Sequence, residues 1–358
     1  MIKKFLLIVS LLLFTFCSKQ KDKEKKPNTK NNIRNSVQLN NEHKSIHQQE
    51  WEEHNKKTYV SVKEQADIQL KQEKVLTGNL TKHFIAPFYN PNGTSIFFTT
   101  EGYNGIWLYD LQKEEIQQLN SLPGSGFKFE ISETGNSVFF RNKTFKKNST
   151  KAQYTIVQQT VNEKEINILY MSKNVLTPPV QLGNEIIFLE NNKPKAYNLK
   201  TKKIENDFKS TFIYVINNKL VKFKNGKKEN ISLNGIKPVK TEYTSDKKNI
   251  ICLTATKGIL LLDKNGLPVN HYPKAFSLSK LNNSNLVVFT EEKYKGNRII
   301  QSDVYLGFTD SDKKIKLSAI KDKKVFNPVW SPNGNNIAYN NEDGIIKIIT
   351  LKIKPQEK

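Results

Sequence analysis

Three of the five histidines, His43, His47 and His54, fall within twelve positions of one another. On a helix they would sit at i, i+4 and i+11, with Glu50 at i+7, all within about 60° on one face. Imidazoles one turn apart are a zinc-ligand spacing. The metalloprotease pattern His-Glu-x-x-His is nevertheless broken, because Lys44 stands where its general base belongs. The polar side of a loosely wound helix accounts for the same spacing, so the expectation is a chain without a cofactor.

Other reactive groups are no better supported. Pro123-Gly124-Ser125-Gly126 is the nearest string to a nucleophile elbow, yet no helix pattern follows it and no hydrolase-sized segment is left to house it. The adjacent acids Glu114-Glu115 and Glu291-Glu292 fall in expected turns, where solvated carboxylates are the ordinary case. His83 and His271 have no companions at ligand spacing. Cys252 lies in the apolar run Ile250-Ile251-Cys252-Leu253 and reads as a buried, inert thiol. Cys17 is the only other cysteine, so a disulfide framework is excluded if Cys17 is modified. The expectation is therefore a non-enzymatic protein. Its rival is a glycan-directed hydrolase or lyase, which needs acids from distant parts of the chain to converge. A structural spacer without a specific ligand is the third reading.

Charge narrows the partners. The 358 residues carry 57 Lys and Arg against 34 Asp and Glu, a formal +23. Only Arg34, Arg141 and Arg298 are arginines, whereas bidentate reading of bases and phosphates is mostly arginine work. Nucleic acid is not the expected partner. A solvated basic surface, with some attraction to anionic membranes, is.

The elements that must position these groups begin with an apolar run over residues 5–14 behind Lys3 and Lys4. It is too short to cross a bilayer, which takes about twenty residues. Residues 1–16 followed by Cys17 resemble a bacterial lipoprotein signal, with Phe16 departing from the small residue usual before the cysteine. That resemblance implies lipidation of Cys17, a palmitate-type anchor and a place in the cell envelope, the outer membrane being favoured. Residues 17–41 are Lys, Asn, Gln and Glu with little to bury, a disordered tether. Residues 42–75 are polar and read as partly helical.

From 76 to 354 the chain is a series of short strands. Phe326-Asn327-Pro328-Val329-Trp330-Ser331 leads into Pro332-Asn333-Gly334 and then a strand with Ile337 and Tyr339. A near copy runs from Phe84 through Pro91-Asn92-Gly93 to Phe98. Proline presets φ for the turn and Asn or Gly accepts the positive φ. Weaker copies recur every 30–50 residues, about the length of one four-stranded blade. Seven repeats can be counted, or six if residues 212–233 belong to their neighbours. A ring of blades closes best with a strand from the opposite terminus, supplied by Lys74-Val75-Leu76-Thr77 or by residues 58–62.

The two best repeats resemble the WD-like repeat of TolB-type β-propellers, with Asn92 and Asn333 where that family usually carries Asp. The resemblance implies an all-β propeller of four-stranded blades. The α/β domain that precedes the propeller in TolB has no counterpart here. Together these readings lead to the expectation of a monomeric, lipid-anchored envelope protein that binds another envelope protein or a cell-wall component. The candidate contacts are Lys143, Lys146 and Lys147 in a basic loop at 141–151, and Lys293, Lys295 and Arg298 in another at 291–298.

Overall fold

The computed structural model describes residues 68–78, 80–145, 151–205, 209–225, 227–317 and 320–353. These form seven antiparallel sheets around a ring. β1 (Ile68–Val75) comes first in the chain but belongs to the last blade. Blade 1 is β2 (Phe84–Tyr89), β3 (Ser95–Thr100), β4 (Ile106–Asp110) and β5 (Glu115–Asn120). Blade 2 is β6 (Glu130–Ile131), β7 (Ser137–Phe145), β8 (Ala152–Thr160) and β9 (Ile166–Ser172). Blade 3 is β10 (Val180–Leu182), β11 (Glu185–Glu190), β12 (Lys193–Asn198) and β13 (Lys203–Glu205). Blade 4 is β14 (Phe212–Ile216), β15 (Lys219–Lys224) and β16 (Lys227–Ile231). Blade 5 is β17 (Pro238–Tyr243), β18 (Asn249–Thr254), β19 (Ile259–Asp263) and β20 (Pro268–Tyr272). Blade 6 is β21 (Ala275–Lys280), β22 (Leu286–Lys295), β23 (Arg298–Phe308) and β24 (Ser311–Lys316). Blade 7 is β25 (Val325–Trp330), β26 (Asn336–Asn341) and β27 (Ile346–Ile353).

The count is seven rather than six, and the doubtful fourth repeat is a blade of its own. It is the short one, with three strands among the described residues. Its third strand is Lys227–Ile231. Only six residues separate Ile231 from Pro238, where the next blade starts, too few for a turn, a fourth strand and a crossover.

Blades are buried on both faces, which is why their middle strands read as continuous apolar runs instead of alternating. Phe97 faces the wedge between blades 1 and 2, while its neighbours Ile96 and Phe98 face the wedge between blades 7 and 1. Val138 and Phe140 likewise turn toward blade 1, and Phe139 toward blade 3. Each of the seven wedges holds one apolar cluster, so the core is divided around the ring.

The Pro-Asn-Gly turns join the inner strand of a blade to its second. Glycine takes the left-handed conformation, at φ +74° in Gly93 and +75° in Gly334. Asparagine acts through its side chain instead. Asn92 Oδ1 accepts from the Thr94 N–H and Asn333 Oδ1 from the Asn335 N–H, both at 3.1 Å. The aspartate of the resembled pattern could accept the same bond, so asparagine there keeps the turn.

Closure uses the N-terminal side of the ring. β1 pairs antiparallel with β27 from Val75↔Lys347 to Ile68↔Ile353, as blade 7's outer strand. Of the two expected closing segments, Lys74 and Val75 lie in this strand, and residues 58–62 lie outside the described residues. The last eight residues of the stretch read as partly helical are thus strand. Pairing with an open edge satisfies their backbone groups, and their own helix preference is too weak to compete. A polar clasp holds the joint. The Tyr339 hydroxyl, on a fully buried side chain, donates to Glu73 Oε2 or Asp322 Oδ2, each 3.1 Å away. Lys347 Nζ lies 2.9 Å from Glu73 and 2.8 Å from Asp322.

Candidate functional site: the charged channel

The inner strands surround an axial cavity of about 370 Å³, lined from blades 1, 2, 5, 6 and 7. Short inner strands alone would present backbone and alternate side chains to it. Bulges change what is presented. Register slips between Ile85 and Phe88 in blade 1 and between Phe326 and Val329 in blade 7. At those slips Ala86 and Asn327 stand at φ +53° and +51° just before a proline. Bulges of this kind re-aim side chains, and they gather near binding sites.

Two lysines in left-handed backbone meet carboxylates across the ring. Lys128, ahead of β6, has φ +52°, and its ammonium lies 3.9 Å from Glu242 on β17. Lys247 has φ +54° at the glycine position of the blade 5 turn, and its ammonium pairs with Glu130 on β6. Both pairs join blade 2 to blade 5 and pass over the intervening blades 3 and 4. Lysine in this conformation costs about 1–2 kcal/mol, and residues kept under such strain concentrate at functional sites. Lys240 adds a 2.9 Å contact to Glu242 on the channel wall, and Lys280 lies 3.5 Å from Asp246 in a largely buried pair.

These neighbours decide the protonation states. Burial pushes Glu242 upward, but Lys240 and Lys128 outweigh it and hold the carboxyl below its usual range. Burial also acts first on Asp246, where the Thr244 hydroxyl, the Lys248 N–H and Lys280 reverse it. Lys128 is itself pushed down, by burial above all. A carboxylate held ionised by lysines accepts hydrogen bonds and is a poor proton donor. The channel is a set of crossed ion pairs, strained at two of its four lysines. Nothing in the sequence marks them, because Glu130 and Lys247 are 117 positions apart. The one available signal is Lys247 standing where the turns of blades 1, 2 and 7 carry Gly93, Gly135 and Gly334.

The upper mouth joins this cavity to the candidate contact residues. Strand order is the same in every blade, so the turns between second and third strands all open on one face. Among the described residues the expected basic loops are largely strand. Residues 141–145 continue β7, and 291–295 continue β22. Period-2 alternation and partners along β8 and β23 extend the ladders beyond the neighbouring blades. Arg141 is not a contact at all, since its guanidinium is tucked against the Leu176 carbonyl at 3.0 Å and burial lowers its pKa. Lys143 is exposed, 5.0 Å from the Phe145 ring centroid. Lys146 and Lys147 lie outside the described residues, as do Cys17, His43, His47 and His54.

On the other hairpin, Lys293, Lys295 and Arg298 are exposed. Lys295 stands directly opposite Arg298 across the Gly296-Asn297 turn. Tyr294 places its ring 5.6 Å from that of Phe276, a channel-lining residue. Glu291 and Glu292 are on β22 rather than in a turn, and strand alternation sends them apart. Glu291 reaches Lys314 at 2.6 Å, and Glu292 accepts from the Tyr294 hydroxyl. Burial raises the Glu292 pKa. Ser125, fully buried in the loop between blades 1 and 2, has its hydroxyl tied to Asn120 Oδ1 and the Leu122 carbonyl, both at 2.8 Å. Cys252 is fully buried in the wedge between blades 4 and 5, and burial pushes its thiol up to about 12. Among the described residues no cluster of His, Cys, Asp and Glu has the arrangement of a metal site.

No protein-family model matches the sequence, and no curated protein matches it. Solved structures do match by shape. The WD40 repeats of RRP9 superpose with a TM-score of 0.54 at 11% identity, over 80% of this chain and all of that one. The structure of U3-55K gives 0.52 at 10% identity, over 78% of this chain and 98% of the other. An oligogalacturonate lyase in complex with manganese gives 0.45 at 11% identity, over 75% and 76%. At such identities the likeness is one of fold, the β-propeller.

Proposed function

We propose that this chain is a non-enzymatic, TolB-like binding protein, anchored in the cell envelope through lipid on Cys17. Its ligand is an acidic envelope protein or cell-wall component, held on the face that carries the β7–β8 and β22–β23 hairpin ends. The observation that carries this reading is the end of the blade 6 hairpin. Like charges directly opposite on a two-stranded ladder are destabilising, yet Lys295 and Arg298 are paired there with Lys293 two residues away. An acidic ligand turns that repulsion into attraction. Tyr294, on the other side of the same strand, reaches Phe276 at the channel mouth. Blades 2 and 6 are nearly opposite in a ring of seven, so Lys143 frames the other side of the mouth. The paired state of Glu242 and Asp246 favours binding over acid–base chemistry in the channel.

Crosslinking in intact cells with an amine-reactive reagent, read by mass spectrometry, tests this. The reading expects Lys143, Lys293 and Lys295 to link to one acidic envelope component. A K143E/K293E/K295E variant, still folded and still anchored, lacks those amines and is read by co-purification instead, where it should retain the component at least tenfold less than wild type. Unchanged co-purification with the variant overturns the docking face, and turnover of an acidic polysaccharide by the purified protein overturns the non-enzymatic part. Metabolic labelling with palmitate should mark the wild type and leave Cys17→Ser unlabelled.

A further inference from the structure

We infer that the channel is a binding site for a small carboxylate with an aromatic body, its charge taken by Lys128 and its ring by Phe88 and Phe276. This lumen site is separate from the hairpin ends and independent of what docks there.

The charges on the channel wall do not balance. Inner strands start at the upper mouth and end at the turns below it. At the lower end Lys247 is paired with Glu130 and Lys280 with Asp246. Glu133 turns away to accept from the Gly183 N–H of blade 3 at 3.0 Å. Lys128 and Lys240 are left with one carboxylate, Glu242, and meet it at the same oxygen. Lys240 Nζ donates to Glu242 Oε1 at 2.9 Å, while Lys128 Nζ stops at 3.9 Å, beyond hydrogen-bond reach. One positive charge is thus in excess, on a lysine whose backbone is held at φ +52°. Lys128, Lys240 and Glu242 are 28%, 42% and 43% exposed, and all three line the cavity. An incoming carboxylate gives Lys128 the acceptor it lacks, in a charge-assisted hydrogen bond of the strong kind.

The rest of the wall sets the body of the ligand. Phe88 and Phe276 line the same cavity and are 39% and 43% exposed, so each offers ring surface to it. An aromatic ligand packs offset or edge-to-face on such rings. The groups that would hold the hydroxyls of a sugar acid are already engaged. Asn327 Nδ2 donates to Asn340 Oδ1 at 3.0 Å, the Ser277 hydroxyl bonds that of Thr290 at 2.8 Å, and Ser279 accepts from the Trp330 N–H at 3.2 Å. A polar ligand group that finds no partner on entering the channel loses affinity. The volume of about 370 Å³ lies at the small end for ligand pockets, room for one compact bicyclic acid.

Calorimetric titration of the full chain in a non-ionic detergent at physiological salt tests this, with indole-3-acetate as the probe. The expected Kd is below about 1 mM, with uncharged indole-3-acetamide and the sugar acid glucuronate each at least tenfold weaker. Lys128→Asn keeps a residue that tolerates left-handed backbone, and should weaken indole-3-acetate at least tenfold while leaving the amide unchanged. Phe276→Ala should weaken both. Glu242→Gln frees both lysines and should tighten the acid at least threefold, a gain that a merely structural carboxylate would not give. Lys164→Asn is the control, an exposed lysine in the same left-handed backbone at φ +55° on an outer turn of blade 2, and should change nothing. No binding of indole-3-acetate at ten times the expected Kd overturns the site. So does glucuronate or the amide binding as tightly as the acid, an equal loss at Lys164 and Lys128, or an affinity unmoved by Lys128→Asn and Glu242→Gln.

Discussion

Replacing Lys247 separates two effects that the channel combines in one residue. Its backbone stands at φ +54°, a conformation that costs lysine or alanine about 1 kcal/mol relative to glycine. Its ammonium pairs with Glu130, and the two side chains are only 23% and 18% exposed. Deleting one partner of such a pair leaves a poorly solvated charge, worth about 2–3 kcal/mol. Lys247→Ala keeps the strain and loses the pair, so it should destabilise by about 2–3 kcal/mol. Lys247→Gly loses the pair and releases the strain, for a net of about 1–2 kcal/mol. At roughly 2 °C per kcal/mol for a chain of this size, the melting temperatures should fall by about 5 °C and 3 °C. Adding Glu130→Gln to Lys247→Gly removes the orphaned charge and should recover at least half of the loss. Thermal unfolding by circular dichroism decides it. Equal melting temperatures for the Ala and Gly variants would refute the strain argument, and no recovery in the double variant would refute the ion pair.

The closure and the core give two further expected outcomes. In the clasp, burial pushes Asp322 up, but Lys347, Asn341 and Tyr339 outweigh it and hold the carboxyl below its ordinary range. A carboxyl lowered on folding adds stability above its unfolded value near 4, and that stability is lost as pH falls through the lower folded value. Asp322→Asn should therefore cost about 2 kcal/mol at pH 7, with the gap to wild type closing as the pH drops toward 3. A gap that stays constant across that titration counts against the clasp. With Cys17 replaced by serine, Cys252 should resist an aromatic disulfide reagent at pH 8 and react once urea unfolds the ring, because burial has pushed its thiol up to about 12. Rapid labelling of the native protein would contradict the sealed wedge between blades 4 and 5.

Most of the blades were legible because each is local. Pro91-Asn92-Gly93 and Pro332-Asn333-Gly334 join strands only a few residues apart, so turn chemistry and alternation suffice to place them. The weak repeat at 212–233 was harder to delimit, since a three-stranded blade lacks the fourth strand that would mark its end. Residues 141–145 and 291–295 read as parts of basic loops because Lys and Asn disfavour strands when taken alone. In the folded chain their ladder partners on β8 and β23 override that preference. Glu291 and Glu292 looked like a pair of acids and are turned to opposite sides of one strand. Choosing β1 over residues 58–62 for closure needed the register along β27.

By itself the sequence determined that short strands and Pro-Asn-Gly turns recur through the chain, and that recurrence specifies a ring of blades. Tertiary structure alone decided which charges meet. Lys128 with Glu242 and Lys247 with Glu130 come from blades separated by two others, and nothing local to either residue encodes the distance. Ring closure brings the inner strands to one axis, where left-handed backbone turns each lysine toward an acid more than a hundred positions away. The physical reason is the range of the contacts. Turns and ladders are settled between near neighbours, whereas a channel exists only once the last blade has paired with β1.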